Sequence, residues 1–458
     1  MLGFMKLFRR RGVRPVLGFV MVTGLLLGTV GDGFAQNGPT LIRDTEIEKT
    51  IEMWSEPVVR AAGLDPKSVN FILVQDSSLN AFVAGGQNVF IYTGLIQRTK
   101  TPEELIGVIA HELGHISGGH LIRTRQALEE ASYETILGAL IGIGAAIATG
   151  DGGAASAVSM GSRSMAERRF MAFSRVQESS ADQAGLSYMS KAGLNGAGFL
   201  SFMKQMENEE LLPASQQSEY VRTHPLTRDR IQAVETVLQG NSFDNAKPVP
   251  ASWNEEHARM IAKLVGFITP EQVPWVYADR DTSMAARYAR AIAAYRQNRV
   301  TDALGQMDAL LKDEPENPYF NELKGQMLVD FGKVKEAVPF YRKAVTLDAD
   351  APLLRVSYAH ALIESNSSLD EAITQLQKAL RTETRSPRVH RLLATAYGKQ
   401  GNDPMARLHL AEEALLQRNN DYAKRQAEVA AQGLKKGSAP WIRAQDILSH
   451  VEQSADKD

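Results

Sequence analysis

The sequence predicts a mainly α protein in two parts: an α+β half with a small β-sheet, followed by an α-solenoid. Short apolar runs between residues 71 and 92 flank Gly85-Gly86, as strands do at a tight turn. A long apolar segment opens at Thr101-Pro102-Glu103-Glu104 and keeps helical periodicity. From about Met284 onward, small residues recur every 34 or 35 positions, the mark of stacked helical pairs.

The first 35 residues read as an export leader. Lys6, Arg9, Arg10, Arg11 and Arg14 precede an apolar run over 16–30, and Gly33-Phe34-Ala35 offers a small-x-small cleavage site before Gln36. That run is short for a membrane span, and a retained anchor is the alternative reading. Residues 45–62 have helical periodicity. Phe71-Ile72-Leu73-Val74 is a strand, and 79–83 and 89–92 pair as a hairpin around the two glycines. Residues 136–148 are apolar and rich in small side chains, but 13 residues cannot span a bilayer. With Gly150-Asp151-Gly152-Gly153 behind them, they form either a mobile helix and loop near a site or a plain packing helix. Residues 165–190 and 195–210 are helical in pattern. Pro248 and Pro250 mark a linker, and a helix near 255–266 joins the two halves.

In the C-terminal half, Ala303, Ala337, Ala372 and Ala406 stand in register, as do Ala291, Gly325, Ala359 and Ala394. Pro318, Pro352 and Pro387 open successive units. Small residues where paired helices cross, at this period, resemble the tetratricopeptide repeat. Helices near 420–435 and 440–452 close the array. The expected boundaries are a leader at 1–35, an α+β domain at 36–245, a linker with connecting helix at 246–283, the repeats at 284–453 and a polar tail at 454–458.

Removing the leader takes five basic residues and one acid from totals of 51 and 53, leaving 46 against 52 and a net charge of −6. That balance argues against a nucleic-acid partner. The chain has no cysteine. An exported protein without disulfides fits a bacterial periplasm, and any zinc ion must be held by His, Asp or Glu.

The densest chemistry is in His111-Glu112-Leu113-Gly114-His115. Histidines four apart on a helix leave the same face one turn apart and suit two nitrogen ligands on one zinc ion. Glu112 between them is placed to take a proton from zinc-bound water. Apolar Leu105, Ile106, Val108, Ile109 and Leu113 bury this helix in a core.

A catalytic zinc needs a third protein ligand. His120 is one candidate, but the metzincin pattern wants a histidine at 121, where this chain has Leu121. On a continuing helix His120 also points away from the His111 face. The better candidate is Glu178 in Gln177-Glu178-Ser179-Ser180-Ala181-Asp182, where Glu178 and Asp182 share one helix face. Glu178 then binds zinc while Asp182 orients a ligand histidine.

Four blocks carry a resemblance: Asn80-Ala81-Phe82 with Gly85-Gly86, His111 to His115, Glu178-x-x-Ala181-Asp182-x-x-Gly185, and Thr223-His224-Pro225 with Arg230. In order and spacing, over roughly residues 40–240, they resemble the gluzincin metallopeptidases that include the HtpX membrane proteases and the CAAX prenyl proteases. The resemblance implies one zinc ion held by His111, His115 and Glu178, with Glu112 as general base and Asp182 behind a ligand. It implies that His224 or Arg230 donates to the developing oxyanion. It also implies an open sheet edge at Asn80, Ala81, Phe82 and Val83, where an extended substrate pairs through its backbone. Unlike the integral-membrane members, this chain has no spanning helix expected after the leader.

The resulting expectation is a periplasmic zinc endopeptidase acting on unfolded or misassembled envelope proteins delivered by the repeats, with the outer-membrane β-barrel assembly machinery as a partner. A second reading is a chaperone or adaptor whose zinc is latent or mainly structural. His224 has two readings as well: a transition-state donor, or a latch that fills the open metal position at rest.

Overall fold

The computed structural model describes residues 40–120 and 163–455 apart from 208, 210, 211, 214 and 215. The expected leader, the apolar run at 136–148 with the glycines after it, and the last three residues lie outside the described residues.

Four strands form one sheet: β1 (Thr40–Ile42), β2 (Asn70–Gln75), β3 (Ala81–Ala84) and β4 (Asn88–Tyr92), in the order β1-β2-β4-β3. β2 and β4 are parallel; β1 on β2 and β3 on β4 are antiparallel. The β3–β4 hairpin turns through Gly85 (φ 60°) and Gly86 (φ 102°), a left-handed pair that favours glycine. Alternation sorts the two faces. Leu73, Val89 and Ile91 enter the main core, whereas Val74, Phe90 and Tyr92 form a small cluster on the other side. β3 is left at the sheet edge. β1 was not apparent from sequence, because three residues carry too little alternation to read.

Helix α1 (Thr45–Ala61) starts at Asp44, whose side chain accepts from the Ile47 N–H, and buries Ile47, Ile51, Trp54 and Val58 along one face. A short α2 (Thr93–Arg98) leads to α3 (Pro102–Ser117). Thr101 caps α3 and Pro102 takes its first turn, as the sequence predicts. Leu105, Ile106, Val108, Ile109 and Leu113 are buried in the main core, contributing on the order of 10 kcal/mol of gross hydrophobic stabilisation. Next come α4 (Arg163–Lys191), α5 (Ala197–Met206), the one-turn α6 (Glu219–Thr223) and α7 (Arg228–Gln239).

Helix α8 (Ala251–Ile268) bridges two cores. Met260 and Leu264 belong to the peptidase-side core; Ala262 and Val265 belong to the next one, with Tyr288 and Ile292. After a single turn, α9 (Val273–Val276), ten helices stack in sequence: α10 (Met284–Arg296), α11 (Val300–Asp313), α12 (Pro318–Asp330), α13 (Val334–Leu347), α14 (Pro352–Glu364), α15 (Leu369–Ala379), α16 (Pro387–Lys399), α17 (Asp403–Leu416), α18 (Asn420–Gly433) and α19 (Ala439–Ala455). The predicted small residues sit at their crossings: Ala303, Ala337 and Ala372 are fully buried, and a Cβ on Gly325 would lie 2.9 Å from the Tyr341 ring. No described helix is long and apolar enough to cross a membrane.

Candidate metal centre

The site is built where α3 and α4 cross with almost nothing between them. A Cβ on Gly114 would lie 2.6 Å from the Ala181 carbonyl oxygen, and one on Gly185 would lie 3.0 Å from that of Ala110. Only small residues permit this approach. It brings the His111–His115 face of α3 against the Glu178–Asp182 face of α4.

The Nε2 atoms of His111 and His115 are 3.0 Å apart. Glu178 Oε2 is 3.3 Å from His111 Nε2, and its Oε1 is 3.3 Å from His115 Nε2. His224, at the end of α6, brings Nδ1 to 3.4 Å from His111 Nε2 and 3.2 Å from Glu178 Oε2. All four residues are buried, and one donor atom from each lies within 4.8 Å of the others. Donors around a tetrahedral ion with bonds of 2.0–2.1 Å are separated by about 3.3 Å. The donor set therefore fits a metal of zinc's size and ligand preference.

Burial and these contacts also set the charges of the site. Burial works against a charged His111, yet hydrogen bonds to Asp182 and Glu178 outweigh it and raise its pKa to about 10. Burial depresses His115 to about 4. Burial also acts to raise Glu178, but His224 and hydrogen bonds from His111 and His115 hold it well below the usual carboxylate range. Without an ion, protonated His111 and His224 supply the positive charge that faces ionised Glu178; a cation held there would take over that role from the protons.

The supporting shell is explicit. Asp182 Oδ1 accepts from His111 Nδ1 at 2.8 Å, fixing the tautomer that leaves Nε2 free for a ligand bond. Arg230 grips Asp182 with Nε at 2.7 Å and Nη2 at 2.8 Å. Its Nη1 donates to the Pro225 carbonyl at 2.7 Å and lies 3.1 Å from Glu178 Oε2. This guanidinium is buried, and its nitrogens meet Asp182, Pro225 and Glu178 rather than open space. Glu112 is buried, and its Oε1 makes no hydrogen bond; burial raises its pKa, countered by His224 and His111. The nearest charged partner of Oε1 is His224 Nε2 at 3.5 Å.

The edge strand meets the site through His224. His224 Nε2 lies 3.2 Å from the Ala81 carbonyl, and the Tyr220 N–H donates to Leu79 O at 2.9 Å. Asn80 is buried and accepts from Thr223 Oγ1 at 3.4 Å; Phe82 stacks on Phe90 at 4.9 Å, and Val83 is buried. The sequence analysis does not single out Tyr220, and it sets His120 aside as a zinc ligand. Tyr220 packs its ring 4.8 Å from that of His224, and the one-turn spacing of the two was the available signal. His120 was placed on a continuing helix, but α3 stops at Ser117 and the chain folds back, so His120 Nδ1 lies 3.0 Å from His115 Nδ1.

Residues 43–238 match the sequence profile of peptidase family M48, and residues 288–352 and 328–396 match profiles of tetratricopeptide repeats. The β-barrel assembly-enhancing protease of Yersinia pestis is 24% identical over 371 residues, 79% of this chain and 74% of that protein. The protein of the same name from Escherichia coli (strain K12) is 23% identical over 340 residues, 72% of this chain and 68% of that one. The metalloprotease LoiP of the same strain is 28% identical over 173 residues, 37% of this chain and 63% of that one. With the converged donors, these likenesses show a metalloprotease whose residues 43–238 form a peptidase family M48 domain, followed by tetratricopeptide repeats.

Proposed function

We propose that this protein is a periplasmic zinc endopeptidase that cleaves extended segments of unfolded or misassembled envelope proteins, with the repeats recruiting them. The observation that carries the reading is the set of His111, His115, Glu178 and His224 donor atoms at 3.0–3.4 Å, with Glu112 Oε1, which makes no hydrogen bond, beside it. The periplasmic assignment rests on the leader pattern and on the absence of cysteine. Recruitment of outer-membrane assembly substrates rests on the repeats and on relatives named β-barrel assembly-enhancing proteases.

Zinc bound by His111, His115 and Glu178 supplies Lewis acidity and lowers the pKa of water toward ~7. Glu112 is the base: its free Oε1 takes the proton of the attacking water and later passes it to the leaving amine. β3 offers its edge for an extended backbone, so side-chain selectivity is low.

His224 is the latch in this arrangement. Its Nδ1 takes the fourth place among the donors, and its Nε2 occupies the Ala81 carbonyl at the sheet edge. One ring thus closes both the position of water and part of the substrate strand's place. Opening requires the α6 loop to move, which holds the resting enzyme at low activity.

The test is digestion of casein by the full chain and by Glu112→Gln, with zinc content measured in both. We expect one zinc per chain in each, and cleavage at least 10²-fold slower in the variant. Equal digestion by both would overturn the assignment of Glu112.

A further inference from the structure

The two ligand histidines are held at their outer nitrogens by different partners. His111 Nδ1 meets a carboxylate, that of Asp182. His115 Nδ1 meets another imidazole, His120 Nδ1, at 3.0 Å, with the rings edge to face at 77°. We propose that His120 is a positioning residue of the metal centre: as a neutral acceptor it takes the Nδ1–H of His115 and holds His115 Nε2 toward the ion. This rests on the reading of His111, His115 and Glu178 as metal ligands.

The backbone is shaped for this contact. Gly118 N–H donates to Gly114 O at 2.9 Å, and Gly119 N–H to Ile116 O at 3.1 Å. The His120 N–H then returns to His115 O at 3.2 Å, closing a helix C-cap that points the chain back along α3. Gly119 has φ +62°, the left-handed conformation such a cap needs. At Gly118 a Cβ would lie 2.5 Å from His120 Nε2, so the imidazole lies directly on this glycine. Both glycines therefore serve one outcome, the placing of this ring on His115.

The chemistry of the pair is restrictive. A ring nitrogen that binds metal carries no proton, so His115 must hold its proton on Nδ1. His120 Nδ1 must then be the acceptor, with its own proton on Nε2. A neutral acceptor also suits the charge of the site. A carboxylate at position 120 would add a further negative charge beside Glu178 and Asp182, which a neutral imidazole does not.

The experiment is a Co²⁺ titration of the full chain followed by visible absorption, with Zn²⁺ competition, on wild type, His120→Ala, His120→Gln and His120→Leu. Wild type is expected to bind one ion. His120→Ala and His120→Leu should bind about 10–100-fold more weakly, with an altered Co²⁺ ligand-field band. His120→Gln, whose amide oxygen can accept, should recover most of the affinity and the native band. If His120→Ala folds poorly by circular dichroism, the comparison of Gln with Leu decides, and equal affinities and bands for these two overturn the proposal. A wild type that binds the metal with a His120→Ala variant unchanged overturns the role of His120 alone. A wild type that binds neither Co²⁺ nor Zn²⁺ overturns the metal centre and this proposal together.

Discussion

Glu112 and Asp182 put the same functional group to opposite uses. Asp182 is saturated by His111 and the Arg230 fork, and its charge is fixed; burial acts to raise its pKa, but those hydrogen bonds lower it. Glu112 Oε1 makes no hydrogen bond, and burial raises its pKa against the opposing pull of His224 and His111. Asp182→Asn should therefore act on the metal rather than on proton transfer. We expect zinc affinity about 10–100-fold weaker, read by chelator competition, with activity returning at high added zinc. If His224 is the latch proposed above, His224→Ala should retain zinc and raise or preserve proteolysis of casein, because the ring lying against His111 and Glu178 is gone. Loss of cleavage with zinc retained would instead favour His224 as the transition-state donor. The residue types of the site were legible in sequence, since HExxH and the Glu178–Asp182 spacing each put two side chains on one helix face. The direction of Arg230 was not, because an arginine looks the same in sequence whether it faces a substrate or a carboxylate.

At the scale of elements, the α3–α4 crossing decides whether the ligands meet. The close approach is set by Gly114 against Ala181 and by Gly185 against Ala110. Gly114→Ala would raise intrinsic helix propensity yet place a Cβ 2.6 Å from a carbonyl oxygen. The clash should win: we expect about 1–3 kcal/mol of lost stability by denaturant unfolding, and a substoichiometric zinc content as Glu178 is pushed away. These small residues lay inside blocks already singled out for chemistry, but their reason is packing. The return of the chain after Ser117 was likewise hidden, because extending α3 through Gly118-Gly119 ignores the φ of +62° that Gly119 adopts.

Across the whole molecule, the peptidase region and the repeats share packing and charge. Lys263 on α8 is buried, with its ammonium 2.7 Å from Asp44 and 3.0 Å from Glu46, and Tyr288 on α10 donates to Glu46 at 2.9 Å. Ion pairs also join Lys49 to Asp348 and Arg43 to Glu383. The last is half exposed on the arginine side and contributes little. Lys263 is different, since removing it strands two carboxylates. Lys263→Ala is expected to cost about 3–5 kcal/mol, measured as a fall in unfolding midpoint, whereas Arg43→Ala should cost under about 1 kcal/mol. The sequence by itself determined the α+β half, the helical pairs and the residues that carry the chemistry, because helical and strand periods and repeat spacing are local properties of the chain. Only the tertiary structure decided that His224 sits among the donors, that Arg230 holds Asp182 and that His120 folds onto His115. Each of these depends on contacts between residues distant in the chain or on one turn's backbone conformation, and local patterning carries neither.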